Sequence, residues 1–332
     1  MDSITQISLG AAIGEAVLGR QIGKRALFWG GFCGLFPDLD VLVPLTDAVE
    51  AFTYHRGPSH SLFVLSALTP LFVFLILKLH PQAIEYRKKF YILVFLAFST
   101  HVLLDCFTVY GTQAFWPLST PPIMGSTIFI IDPIYSVPLI TGVIAALVIS
   151  RRSSRGHLIN MIGLTLSSIY LLWSVGAKLH VTEIAHQSLS RQNISYNRLL
   201  TIPTAFNTVL WRVLAIDDNG YYEGFYNLLD KTTSIRLNYY SSDKQYLESF
   251  ETHWPVKRLQ WFTHGFYSVQ KHGNDIVITD LRMGMEPYYV FRFKIGELGN
   301  PHSKMTKSQR IQSPRGKDQL KWIWYRIRAV ES

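Results

Sequence analysis

His55-Arg56-Gly57-Pro58-Ser59-His60-Ser61 stands at the head of an apolar run that continues through residue 79. Two histidines and an arginine within six residues need a reason when membrane-like sequence follows. Gly57-Pro58 imposes a tight turn, and Ser59 is placed to cap a helix beginning near His60. On a regular helix a five-residue step would set the two imidazoles on different faces, but a turn can fold them together. Neutral imidazoles held this way suit zinc or a similar borderline ion. An ordinary capped helix end is the competing reading, and the rest of the chain decides between them.

Working outward, apolar runs occupy residues 26–45, 61–79, 90–107, 128–150 and 158–177. Each approaches the roughly 20 residues that a helix needs to cross about 30 Å of hydrocarbon. Five such runs in a row predict a multi-pass α-helical membrane domain over residues 1–178. Residues 4–18 are a weaker sixth candidate, short, rich in small residues and carrying Glu15; without a basic leader segment they do not read as a signal peptide. Residues 179–332 have the composition of a soluble domain, so the chain divides into five or six membrane helices followed by a β-rich α+β extramembrane domain. Cys33 and Cys106 both fall in apolar runs, which argues against a disulfide framework.

The net charge is +9. No lysine-arginine stripe with interleaved aromatics accompanies it, so no nucleic-acid partner is expected; membrane lipid is the natural one. Short basic loops set topology. Arg20, Lys24 and Arg25, then Arg87, Lys88 and Lys89, then Arg151, Arg152 and Arg155 mark three cytoplasmic loops, whereas residues 109–127 carry no charge. The 46–60 loop and everything beyond Lys178 then lie outside, in the periplasm or its equivalent. The C-terminal half has 20 basic and 14 acidic residues, but long domains translocate largely regardless of charge.

This arrangement brings three polar clusters to one membrane face. Pro37-Asp38-Leu39-Asp40 ends one run, the His55–His60 stretch begins the next, and His101 and Asp105 lie near the end of the third. His101 and Asp105 are four residues apart, hence on one helical face, and ionisable groups inside an apolar segment are costly and usually functional. Asp38 and Asp40 can converge near a proline-marked break, one as a ligand and the other orienting a histidine. Together the clusters offer carboxylates and three imidazoles, enough for one or two ions, with Arg56 beside them for an anion.

In order and spacing, Pro37–Asp40, His55–Ser61 and His101-Val102-Leu103-Leu104-Asp105, with Thr108, Tyr110, Gly111 and Thr112, resemble the bacterial YdjM-like family of inner-membrane, metal-dependent hydrolases. The resemblance covers residues 1 to about 140, including Asp132-Pro133 and the opening Met1-Asp2-Ser3-Ile4-Thr5-Gln6. Better-known members carry a histidine near the position of Gln6, which this chain lacks. Through its grouping with zinc-dependent phospholipase C and P1-type nucleases, the family implies phosphoester chemistry.

The C-terminal half reads as strands at residues 207–216, 221–229, 234–240, 276–281, 288–295 and 322–327. Residues 247–261 read as helical with a break at Pro255, and 301–318 as polar loop. His180, His186, His253, His264, His272 and His302 lack ligand spacing.

The function expected is a membrane-embedded, metal-dependent hydrolase of a phosphoester or lipid-linked substrate at the outer face of the bacterial inner membrane. Asp38, His55, His60, His101 and Asp105 are the expected ligands for one or two divalent ions, zinc by ligand type. Asp40 is expected to orient or act as base, and Arg56 to stabilise developing charge. The alternative is a non-catalytic envelope protein whose metal cluster staples helices and whose outer domain binds a partner.

Overall fold

The structure is a computed structural model that describes residues 1–149, 154–299, 304–312 and 317–329. Arg151, Arg152 and His302, noted above, lie outside these residues. In chain order the helices are α1 (Ser3–Ile22), α2 (Lys24–Leu35), α3 (Ala48–Tyr54), α4 (Leu62–Leu79), α5 (Arg87–Cys106), α6 (Pro133–Ile149), α7 (Arg155–Arg191), α8 (Trp254–Phe262) and α9 (Lys317–Arg328). The strands are β1 (Arg198–Pro203), β2 (Leu210–Ile216), β3 (Gly220–Asn227), β4 (Leu237–Ser241), β5 (Tyr267–His272), β6 (Asp275–Met285), β7 (Tyr288–Glu297) and β8 (Lys304–Arg310). The chain forms two compact units. One holds residues 1–43, 55–125 and 130–174; the other holds 44–54, 126–129 and 175–332, so the boundary falls within α7.

The helical unit is built on an α1–α2 hairpin whose backbones nearly touch. Gly10 and Gly14 of α1 meet Gly30 and Ala26 of α2, and a Cβ at either α1 glycine would run into a carbonyl oxygen across the pair. Small residues spaced four apart are the usual means of close helix contact in lipid. Asp2 caps α1 by accepting from the Thr5 N–H at 3.0 Å. Leu65, Val73, Ile76, Phe90, Leu93, Ala97 and Phe98 fill the core between α4 and α5, with Leu18 and Cys33 from the hairpin. Three helices are long and apolar enough to cross a membrane by length and composition: Leu62–Leu79, the continuous Pro81–Cys106 segment that includes α5, and Arg155–Arg191. The shorter α6 is also apolar.

Two details differ from the sequence expectation for this half. The apolar run at 26–45 is not one helix: α2 stops at Leu35, and a 3₁₀ segment, Phe36–Leu42, follows with Pro37 in its first turn. Proline lacks an N–H and fixes φ, so it opens the new turn instead of extending the old helix. Ser59 is not a helix cap; Ser61 caps α4, accepting from the Val64 N–H at 3.4 Å.

The second unit contains two antiparallel four-stranded meanders, ordered β1-β2-β3-β4 and β5-β6-β7-β8. Two expectations fail here. Residues 322–327 belong to helix α9, with Ile323 buried beside Leu210 and Met285 and Ile327 packed against them. Residues 304–310, within the expected loop, form edge strand β8. The stretch read as helical at 247–261 is interrupted before Pro255: a 3₁₀ segment, Lys244–Phe250, precedes α8, and Pro255 lies in the first turn of α8. Helix α3 packs in this unit through Phe52, which meets Phe262, Phe291 and Phe293 with ring centroids 4.4–5.1 Å apart.

Candidate metal centre

Asp38, His60, His101 and Asp105 come together in the helical unit as the one group of histidines and acids, among the described residues, that could hold a metal ion. Each is delivered by a different local device. Pro37 turns the chain so that Asp38 leaves the end of the α1–α2 hairpin. Gly57-Pro58 folds a 3₁₀ turn, Pro58–His60, that points His60 inward. His101 and Asp105 occupy one face of the last turns of α5, where the buried positions recur at helical spacing.

Around a common centre the His60 and His101 Nε2 atoms lie 3.1 Å apart. Asp38 Oδ1 is 3.4 Å from His60 Nε2 and 3.6 Å from His101 Nε2. Asp105 Oδ2 is 3.2 and 3.6 Å from the same two atoms. Both histidines and Asp105 are essentially excluded from solvent, while Asp38 keeps an exposed edge.

The outer partners fix which ring nitrogen faces inward. His101 Nδ1 lies 2.7 Å from the Gly34 carbonyl oxygen, which can only accept, so Nδ1 carries the hydrogen. Ser59 Oγ donates to Asp40 Oδ2 at 2.6 Å and therefore accepts from His60 Nδ1 at 3.0 Å. In the neutral rings both Nε2 atoms then present lone pairs to each other and to two carboxylates. A shared cation resolves that arrangement. Consistent with this, Asp105 Oδ2 and Asp38 Oδ2 are buried without a hydrogen-bond partner. Burial alone would lower the His60 pKa, but contacts with Asp105 and Asp38 carry it above the ordinary value, so the site draws in positive charge. These donors fit a divalent ion, with second-sphere bonds of the kind that hold metal-binding imidazoles.

Asp105 is gripped from behind through Oδ1. Arg56 reaches it at 3.2 Å, Gln6 Nε2 donates to it at 3.1 Å, and the Met1 amine contacts it as well. Arg56 Nη1 donates to Thr108 Oγ1 at 3.0 Å, and the guanidinium lies over the Tyr110 ring. Arg56 has φ +61°, a left-handed backbone that costs a non-glycine residue about 1–2 kcal/mol. Asp40 Oδ2 accepts its N–H, and its carbonyl accepts from Gln113, so the strained residue is held on both sides.

Of the five residues expected as ligands, four meet at this centre and His55 does not join them. His55 Nδ1 instead pairs with Asp40 Oδ1 at 2.8 Å, and its ring is 28% exposed. Asp40 thus ties together His55, the Arg56 backbone and Ser59. Arg56, expected to face an anionic substrate, is buried and turned to Asp105. Asp132 lies elsewhere, capping α6 through the Ile134 N–H and accepting from Tyr170.

The family model for YdjM inner membrane protein matches residues 1–181, more than half of the chain. The chain belongs to this family. No curated protein and no solved structure matches it. The YdjM match ends within α7, so it takes in every residue of the metal centre and stops before the strands. Gln6, like Met1, Gly34 and Thr108, is a member of the site that reading the sequence left without a role. The signal for Gln6 was the resemblance, whose better-known members carry a histidine near its position.

Proposed function

We propose that this YdjM-family protein is a membrane-embedded, metal-dependent hydrolase acting on a phosphoester or lipid-linked substrate, with its site at the outer face of the inner membrane. The observation that carries this reading is the position of the His55–Asp40 pair. Asp40 also steadies His60 through Ser59, but His55, 28% exposed and with its ring centroid 5.9 Å from that of His60, is a titratable group beside the donors that a purely structural cluster has no need of.

Asp38, His60, His101 and Asp105 would hold the ion. Five of their separations fall at 3.1–3.6 Å, close enough for one ion to be shared, and two imidazoles with two carboxylates suit zinc by ligand type. When bound, a divalent ion supplies Lewis acidity that polarises the scissile group and makes water easier to deprotonate. The chain's own residues do the rest. Asp40 fixes His55 so that Nε2 points away from the pair and can take or return a proton. Gly34 and Ser59 hold the two liganding imidazoles in register. Arg56 and Gln6 hold Asp105 as a carboxylate, which makes Arg56 a positioning residue. The donors lie at the ends of membrane helices, just before α4 and in the last turns of α5, which suits a substrate presented at headgroup depth. The basic loops support placing this face and the β-rich unit outside the cytoplasm.

A second reading has its own support. Four protein donors can close a tetrahedral shell, and closed shells are the mark of structural sites. His55→Gln separates the two. Under the hydrolase reading it keeps the metal and loses on the order of 100-fold in turnover of a lipid phosphodiester. Unchanged turnover removes His55 from the reaction. A fully metal-loaded protein that cleaves no phosphoester establishes the staple.

A further inference from the structure

We propose that α9 is an interfacial anchor that lays the β-rich unit on an anionic phospholipid surface. The helix has two faces. One is covered within its own unit: Ile323 is buried with Leu210 and Met285, Trp322 packs edge-on against Phe225, and Arg326 pairs with Asp230 at 2.5 Å. The other is open. Leu320, Trp324 and Tyr325 are exposed, Tyr325 by 71%, and Lys321 and Arg328 are exposed on the same side. At 100° per residue, Arg328 and Lys321 fall in the middle of that open face with Trp324 and Tyr325 flanking them.

This is a combination with a chemistry. Trp and Tyr settle at the headgroup level of a bilayer, where one end of the ring is apolar and the other wet, and lysine and arginine add attraction to anionic lipid. The sequence leading into and through the helix is basic. Residues 304–328 contain eight lysines or arginines and a single acid, Asp318. Three of the eight, Lys304, Lys307 and Arg310, lie on β8 and are exposed. The unit is covalently continuous with α7, a helix apolar enough to span, so a bilayer is within its reach. A protein partner for the same face would call for acidic complement to a narrow stripe; a lipid surface supplies it everywhere.

The test uses the full chain in nanodiscs made either with a phosphatidylglycerol fraction or with phosphatidylcholine alone. Hydrogen exchange of the 317–328 amides is followed, together with a fluorophore on Tyr325→Cys and lipids brominated on their chains. The expected result is slower exchange and bromine quenching in the anionic discs only. Lys321→Gln and Arg328→Gln should each weaken that protection about five-fold. Amides of β2, within the same unit, serve as the folding control and should not change. Equal exposure of residue 325 in both lipids, or protection that survives loss of both charges, overturns the proposal. An α9 that is protected only when another protein is added overturns it in favour of a protein partner.

Discussion

Each unit buries a network of charged groups, and the two are resolved differently. In the β-rich unit, Arg212 donates to Glu223 at 2.5 Å, to the Leu281 carbonyl and to Tyr289, Tyr289 donates to Tyr221, and Tyr221 donates to Glu286. Donors and acceptors alternate, and none of these side chains retains a buried polar atom without a partner. In the helical unit, two imidazole lone pairs and two carboxylates converge, and oxygens of Asp38 and Asp105 are left over. Burial and charge density are similar in the two places. What separates a structural network from a binding centre is whether the protein alone completes its hydrogen bonds.

Substitutions should split along that line. The largest effect is expected for His60→Ala and His101→Ala, each of which removes a donor from the centre. Metal affinity should fall by more than the 10–100-fold that loss of an outer partner costs. Elemental analysis of purified protein reads this out, with His272→Ala as the unaffected control; equal metal in all three would dissolve the distinction. Glu223→Ala is the mirror experiment. It strands Arg212 as an unpaired buried charge and should cost about 3–5 kcal/mol in thermal or denaturant unfolding, with metal content unchanged. If Glu223→Ala instead released metal, the two networks would not be independent.

Smaller effects sharpen the comparison inside the helical unit. Gly14→Val drives a side chain into the Ala26 carbonyl oxygen and should cost about 1–3 kcal/mol of stability. Because Gln6 rides on the same helix, some metal should be lost with it, whereas Gly23→Ala, at a position with open space, should keep the metal and show only the strain of its positive φ. Arg56→Lys keeps the charge but loses the two-pronged grip on Asp105 and Thr108. It should weaken metal binding roughly ten-fold. A silent Arg56→Lys would mean that Gln6 and the Met1 amine suffice to hold Asp105 in place.

The helical unit was far more legible in sequence than the β-rich one, and the reasons are physical. Long apolar helices announce themselves by length. The i, i+4 spacing of His101 and Asp105 fixes a shared face whatever else the chain does. Spacing alone did not dictate the roles expected for Asp38 as ligand and Asp40 as orienting group; these depend on the 3₁₀ geometry after Pro37, which sends the first to the imidazoles and the second to His55 and Ser59. His55 looked equivalent to His60 until the turn separated them. The α1–α2 hairpin was visible only as small residues; its meaning lies in which glycine meets which. Among the strands, β8 hid because an edge strand is protected by lysines and so looks like loop. Helix α9 looked like a strand because Trp, Ile and Tyr favour strands, and the contacts of Ile323 and Ile327, four apart, decide for helix.

The spread of the four donors along the chain also bears on how the protein is made. Asp38 emerges from the ribosome after the first hairpin, His60 before α4, and His101 and Asp105 only at the end of α5. No earlier intermediate has a complete donor set, so a chain stalled in mid-insertion holds at most part of the shell. Under the proposed reading, acquisition of an ion would report that α1 through α5 have found one another, and metal loading would then serve as a checkpoint of biogenesis.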